Sequence, residues 1–528
     1  TDQAVALTSA QAAALTATQI AGFTTAQVAV MESVDVSVIA PSVLALLSTS
    51  NFQAISTAAF KALSTAQIGT LTMGQVAAIT ADQIGVITSS ELQALKVAQL
   101  PALTTANVAA LSSTLFATLS GVQIAALGSV NSAAMQVGQI AAMTTAQVNG
   151  LTQAQLATWN SAQVQALTTA DLAVLDGNKL SALTTVGLGG IATDKLQSLS
   201  QAQIAGLNTA KLSALTVAQT TALTTSQASA LIAPQLAVLS TDQVQALGTT
   251  NIAALNVTAL QGLKTTNVAI LGTAQVAALT SVQMAGLTTA QLAALSTSQA
   301  RAIETRDVAA LTGAQISALG TTNVSVLTTA QIAALQNAQL TTLTSTATGA
   351  LTTVQVGALT TTQLAAFTAL QLAGLTTTQV NAIAPTSLAS LSASAFKSLG
   401  SSIVSVMTTA QIANLTTTQI AALTATSLVG LETADVVALT TAQAATLSTA
   451  QAQALTTNQV KALSTDAVVA LSSFQVANLT VGYAGSCDLM VRFPTGAQWI
   501  VDLKTGKGTY PEHALQVLAY RNAEVVFS

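Results

Sequence analysis

One feature constrains the fold of this 528-residue chain more than any other: an apolar residue recurs every eight positions from Leu7 to Leu479, without an insertion. All sixty of these anchor positions hold Leu, Ile, Met, Phe or Trp. The consensus octad is Leu-Thr-Thr-Ala-Gln-(Ile/Val)-Ala-Ala, which residues 327–334 match. A repeat that keeps its phase for this long indicates one small structural unit stacked many times, as in a solenoid.

Each octad carries the signals of one short helix. Thr416 is followed three residues later by Gln419, which is the capping-box pattern at a helix N-terminus. The anchor Leu415 and the apolar Ile420 then have the spacing of a hydrophobic staple. Because a new capping Thr follows the next anchor, a continuous helix is disfavoured. We therefore predict one capped helix per octad, six residues or about 9 Å long.

Such helices are too short to be stable alone, since isolated helices below about 12 residues are marginal in water. Their staple residues must be buried against neighbouring repeats. The predicted fold class is mainly α, a solenoid of short capped helices over residues 1–479, followed by a small α/β (ββα) segment over residues 480–528. A β-solenoid is the alternative, because Thr, Ile and Val favour strands. Against it, the two apolar positions of an octad would fall on opposite faces of a strand, and Ala is depleted in strands.

Composition restricts the partners. Hydrophobic residues make up 51% and charged residues 6%, yet Thr, Ser or Gln interrupts every apolar run before 18 residues, so no membrane insertion is expected. Residues 1–479 hold ten scattered Lys or Arg and fourteen Asp or Glu. They therefore do not form the continuous basic surface that DNA binding needs. A single cysteine, Cys487, excludes an intramolecular disulfide framework. The Thr and Gln rows either only cap helices or also face a periodic ligand: a protein, a glycan, another copy of the chain, or ice.

The octads resemble the L-T-x-x-Q-(V/I)-x-A-L arrays of bacterial surface and adhesin-like proteins. The resemblance covers residues 1–479. It implies a non-catalytic structural or adhesive scaffold, located outside the cell or at its surface. Residue 1 is a Thr within an octad, without an atypical terminal repeat, and the sequence is therefore expected to be a fragment or a composite reading frame.

The octad fails at Thr480, and from Tyr483 to Ser528 the charged residues become about three times denser. This part predicts a strand over 488–493, a strand over 498–504, a helix over about 511–522, and the start of a third strand at Glu524. Asp488, Asp502 and Lys504 would share one sheet face, where two carboxylates suit Mg²⁺ or Mn²⁺. Gln516 and Tyr520 lie four residues apart, on one helix face.

Three motifs of this segment resemble the RecB-like and Cas4-like branch of the PD-(D/E)XK nuclease superfamily: residues 485–488, 501–506 and 516–520. The resemblance implies metal ligands at Asp488 and Asp502 for Mg²⁺ or Mn²⁺, a catalytic lysine at Lys504, and a trailing helix motif at Gln516 and Tyr520. It also implies DNA as substrate and a cytoplasmic location.

The segment departs from that family. The preceding helix with its acidic or His residue has no counterpart in the octads, and the later strands are missing. Asp502 and Lys504 could also be a plain exposed strand pair. Whether the chain is an enzyme therefore stays open at the level of sequence: a truncated relic on a scaffold, or a metal-dependent nuclease carried by the solenoid.

Overall fold

A computed structural model describes residues 1–397, 400–472, 475, 479, 487–492, 498–503 and 524–527. The chain divides into two compact units, Thr1–Asn267 and Val268–Ser528, and each is considered by itself. The prediction of a mainly α fold is confirmed, because the octads form short helices in a repeating arrangement.

In the first unit the helices have four to seven residues, apart from one three-residue 3₁₀-helix at Leu100–Ala102. The α-helices are Asp2–Val5, Ser9–Ala13, Ala17–Ala21, Thr25–Ala29, Ser33–Val38, Pro41–Leu44, Thr49–Gln53, Thr57–Lys61, Thr65–Thr70, Met73–Ala78, Ala81–Gly85, Ser89–Ala94, Thr105–Ala110, Ser113–Phe116, Gly121–Ala126, Gly128–Ala133, Val137–Ala141, Thr145–Gly150, Gln153–Leu156, Ser161–Gln165, Thr169–Ala173, Gly177–Ala182, Thr185–Gly189, Thr193–Gln197, Gln201–Ala205, Thr209–Ser213, Val217–Thr221, Thr225–Ser229, Ala233–Leu236, Thr241–Ala246, Gly248–Ala254 and Val257–Leu260. A further helix covers Thr265–Ala269.

The helices of the second unit have the same lengths and the same phase. They are Thr273–Ala277, Ser281–Gly286, Thr289–Ala293, Thr297–Ala302, Thr305–Ala310, Gly313–Ala318, Gly320–Val326, Thr329–Ala334, Asn337–Leu340, Ser345–Gly349, Thr353–Gly357, Thr361–Ala365, Ala369–Ala373, Thr377–Asn381, Pro385–Leu388, Ala393–Lys397, Ser401–Val404, Thr409–Asn414, Thr417–Ala422, Ala425–Leu428, Thr433–Val437, Thr441–Ala445, Thr449–Ala454, Thr457–Ala462 and Thr465–Ala470.

The predicted capping box explains where each helix begins. In the octad of Thr416, the Gln419 N–H donates to the Thr416 hydroxyl (3.2 Å), and the Thr416 N–H donates to Oε1 of Gln419 (2.9 Å). Thr416 itself is extended, and the helix Thr417–Ala422 ends at Leu423, whose backbone is extended again. The main chain therefore leaves the helical conformation once per octad, which keeps every helix short.

Two apolar rows form the core of each unit. The sixth octad position, such as Ile420, is fully buried, and the anchor, such as Leu415, is 4% exposed. Each helix packs against the helix three octads earlier and the one three octads later: Thr417–Ala422 contacts Ala393–Lys397 and Thr441–Ala445. The staple residues are thus buried by neighbouring repeats. No strand occurs in residues 1–397 or 400–472, so the β-solenoid alternative is wrong for the octads.

Among the described residues, three octads have a left-handed glycine at the second position, directly after the anchor. Gly128, Gly248 and Gly320 have φ of 77°, 70° and 78°, a region that L side chains rarely adopt. All three stand at the capping position, and each is followed three residues later by Asn instead of Gln. Glycine lets the chain turn there without a capping box.

Three strands lie in the part after the octads: β1 (Cys487–Arg492), β2 (Gln498–Leu503) and β3 (Glu524–Phe527). Their order is β2-β1-β3, and both pairings are antiparallel. The helix predicted over 511–522 lies outside the described residues. Among the described helices, none is both long and apolar enough to cross a membrane.

Candidate functional site

The fifth octad position holds the most consistent polar side chain of the chain, and we call its residues the ladder row. In the second unit, Gln363 accepts a hydrogen bond from the Thr360 N–H at Oε1 (2.9 Å). Its Nε2 donates to the carbonyls of Ile332 (3.0 Å) and Leu335 (2.7 Å), which lie 31 and 28 residues earlier. One amide therefore caps its own helix and also binds the preceding turn, and a turn takes about three and a half octads.

The same arrangement recurs in the first unit. Gln75 accepts from the Thr72 N–H (3.0 Å) and donates to the carbonyls of Leu44 (3.0 Å) and Leu47 (3.1 Å). Gln75 is 1% exposed, so its side-chain amide is buried together with the two carbonyls to which it donates. Because buried carbonyls need a donor, the ladder row supplies one to anchor carbonyls such as that of Leu47.

Other donors replace Gln without loss of the inter-turn bond. Lys195 donates through Nζ to the carbonyls of Gln165 (2.8 Å) and Leu167 (2.7 Å). Asn residues of the row reach the carbonyl 28 residues earlier: Asn51, Asn107, Asn131, Asn251, Asn267 and Asn323. Gln, Asn and Lys195 at this position thus all supply an N–H donor to the preceding turn. The sequence signal was visible as the exchange of Gln for Asn or Lys, but the Gln row was interpreted from the sequence only as helix caps or as part of a face for a periodic ligand.

The repeat predicts a deletion tolerance. Removing residues 327–334, a whole octad, is expected to leave thermal unfolding nearly unchanged, because every ladder residue finds an equivalent carbonyl 28 residues earlier. Removing only Ala330 is expected to misalign the ladder over the next three to four octads. Hydrogen exchange of the two deletion variants measures the difference. Equal protection from hydrogen exchange in both variants would contradict the inference that the ladder row sets the register between successive turns.

The outer surface is built mainly from the second, third, fourth and seventh octad positions. Thr328, Thr329 and Ala330 are exposed, whereas Gln331 is buried. The Gln row is therefore not a surface row. The Thr and Ala positions do form an exposed, uncharged face, and the Thr328 hydroxyl also accepts from the Gln331 N–H (3.2 Å).

Opposite charges meet around Arg306. Arg306 lies 2.7 Å from Glu304 and 3.5 Å from the buried Asp307, and both are ion pairs. A surface depression of about 470 Å³ beside them is also lined by Arg301 and Thr328. The formal charges of these two Arg and two acidic residues cancel. Within the described residues, no group of three or more His, Cys, Asp or Glu could hold a metal ion.

The residues predicted for the C-terminal site are only partly described. Asp488 lies in β1 and Asp502 in β2, and the two are direct partners in the register of the antiparallel pair. Directly opposed residues of such a pair share a sheet face. Lys504, Gln516 and Tyr520 lie outside the described residues, so the roles predicted for them stay predictions.

The octads thus define a helical repeat array whose polar row is structural. A family model described as the ALTTAQ repeat matches four stretches of the chain, at residues 258–289, 300–337, 428–465 and 453–481. These matches support the array that the octad periodicity predicts. No curated protein matches the chain.

Proposed function

We propose that the octads form a non-catalytic structural or adhesive scaffold of the bacterial-surface type. One observation carries this proposal: within an octad, one polar row is buried while another faces solvent. Most of the polar side chains in the ladder row are buried and bonded to main chain, as Gln363 is. What faces solvent is a repeated set of short hydroxyl and methyl groups with few charges.

A surface of this kind favours an uncharged or repeating partner, such as a glycan, a protein face or a second copy of the chain. Pairs of exposed hydroxyls recur, with 3.1 Å between Thr360 and Thr362 and the same distance between Thr376 and Thr378. Each contact would be weak. Repetition along many octads would add them together, because linked sites gain effective concentration.

The test is binding by the full chain to a glycan array and to immobilised copies of itself. Variants Thr362→Lys, Thr378→Lys and Thr418→Lys put charge on the exposed face without touching either core row. We expect the triple variant to fold normally and to lose binding. A matched control places lysine at Thr220, a buried position, where folding itself should fail. Binding unaffected by the three exposed lysines would contradict the proposed face, and substrate turnover mapped to the octads would contradict the non-catalytic role.

A second candidate function is a metal-dependent nuclease carried by the array. What supports it is the register of β1 and β2, which puts Asp488 opposite Asp502. Carboxylate oxygens are ligands that Mg²⁺ and Mn²⁺ prefer, and a bound metal would supply Lewis-acid stabilisation at a DNA phosphodiester. Lys504 would orient the attacking water, and Gln516 and Tyr520 would lie on the helix that the sequence predicts over 511–522.

One assay separates the two proposals. If the scaffold alone is functional, linear duplex DNA with Mg²⁺ or Mn²⁺ should stay uncut by the full chain. If the segment is a nuclease, cleavage should be abolished by EDTA and by Asp502→Ala, while Lys504→Ala should keep metal binding and lose turnover. Asp466→Asn, an exposed change on a neighbouring helix, is the control that should leave any cleavage intact.

A further inference from the structure

Four octads place an aspartate in the ladder row, at a position where other octads have an N–H donor. Asp35, Asp171, Asp307 and Asp435 are each 3% exposed or less. Three of them follow a glutamate at the capping position, in the pattern Glu-x-x-Asp: Glu32 with Asp35, Glu304 with Asp307, and Glu432 with Asp435. An ionised carboxylate can only accept hydrogen bonds, so it cannot replace the amide as a donor.

The structure shows what the carboxylates do instead. A hydroxyl 26 residues earlier donates to them: Ser9 to Asp35 (3.0 Å) and Ser281 to Asp307 (2.6 Å). Oδ2 of Asp35 and Oδ2 of Asp307 are buried and have no hydrogen-bond partner. These two carboxylates therefore accept a hydrogen bond from the preceding turn instead of donating one to it.

Asp435 differs from these two in its electrostatic surroundings. Desolvation by burial raises the pKa of its carboxyl above the ordinary value, against the lowering effect of hydrogen bonds from the Glu432 N–H and the Thr409 side chain. The nearby Glu432 carboxylate raises this pKa further. Asp307 has Arg306 at 3.5 Å, and no ion pair to Asp435 occurs in the described residues.

The elements packed against Asp435 add few charges. Its helix, Thr433–Val437, contacts Thr409–Asn414, which has no charged residue, and Thr457–Ala462, where Lys461 is the only one. Glu432 is on its own octad. Burial and the neighbouring Glu432 carboxylate thus raise the pKa of the Asp435 carboxyl.

We propose that the Glu432–Asp435 octad is a proton-dependent contact between turns. The neutral Asp435 carboxyl donates its O–H to the carbonyl of the preceding turn, and ionisation removes that bond and loosens the turn. The acceptor is Met407, 28 residues earlier, because Gln443 in the next octad donates to Leu415 at the same offset (2.6 Å). A side chain of this length is sufficient, since Asn323 reaches Leu295 (2.7 Å).

The pH dependence follows from linkage. Since the pKa of Asp435 is higher in the folded than in the unfolded chain, the folded chain binds this proton more tightly. The stabilisation is therefore complete at acid pH and is lost as pH rises through the raised pKa.

Hydrogen exchange of the full chain, expressed as opening equilibria between pH 4.5 and 8, tests this. In the wild type we expect the segments 400–414 and 433–437 to open about three- to tenfold more often at the high end, the range of one net hydrogen bond. Asp435→Asn keeps a donor at every pH and should remove this dependence while protecting both segments at pH 8. Asp466→Asn, exposed on the helix Thr465–Ala470, should behave as wild type. A wild type without pH dependence here, or an Asp435→Asn chain no better protected at pH 8, would overturn the proposal.

Discussion

Gln75→Glu is expected to destabilise the turns that Gln75 joins by about 3 kcal/mol or more, because a buried carboxylate would face two carbonyls without a donor between them. The native amide donates to Leu44 and Leu47 and is 1% exposed. Local opening by hydrogen exchange is the appropriate measurement, since a repeat array need not unfold in one step.

Gln11→Glu is the matched control. Gln11 accepts from the Thr8 N–H (2.9 Å) as Gln75 does from Thr72, but it is exposed, and its described bonds stay within its own octad. Glutamate keeps the capping box, so this variant should lose almost nothing. Gln75→Asn should also cost little, because Asn107 makes the equivalent bond to Ile79 (2.8 Å). Equal losses for Gln75→Glu and Gln11→Glu would show that only capping matters.

The second large effect is expected at Trp159, the bulkiest anchor, which is fully buried. Its Nε1 donates to the hydroxyl of Ser132 (2.8 Å), a small polar residue in a row that is otherwise mostly apolar. Trp159→Asp would bury an unpaired charge and open a cavity, and we expect it to unfold the surrounding turns, with a loss above about 4 kcal/mol.

A pair of compensating substitutions separates the packing contribution of Trp159 from the effect of a buried charge. Trp159→Leu alone should leave a cavity and remove the donor to the Ser132 hydroxyl oxygen, at a cost of about 2–4 kcal/mol. Trp159→Leu with Ser132→Ile restores the consensus in both rows and should recover most of that loss. Thermal unfolding and local exchange of the single and double variants give the coupling energy. Simple additivity of the two substitutions would contradict a shared cavity.

The sequence predicted the helices well because their determinants are local. Thr416 and Gln419 lie within one octad, and the box they form depends on nothing outside it. The burial of Leu415 and Ile420 followed from the same period, since both belong to a staple that a short helix cannot bury alone. The roles of Asp488, Asp502, Lys504, Gln516 and Tyr520 remain predictions.

The second role of the ladder row could not be predicted in the same way. The partners of Gln363 lie 28 and 31 residues away, and nothing in a single octad specifies how many octads make a turn. The number of octads per turn is set by the packing between helices that lie three octads apart. The sequence by itself therefore determined the repeat, the caps and the two apolar rows, because these are short-range. Only the tertiary structure decided to which carbonyls each buried amide donates. It therefore also decided that an ionised aspartate in the ladder row cannot replace a glutamine, because it has no N–H to donate.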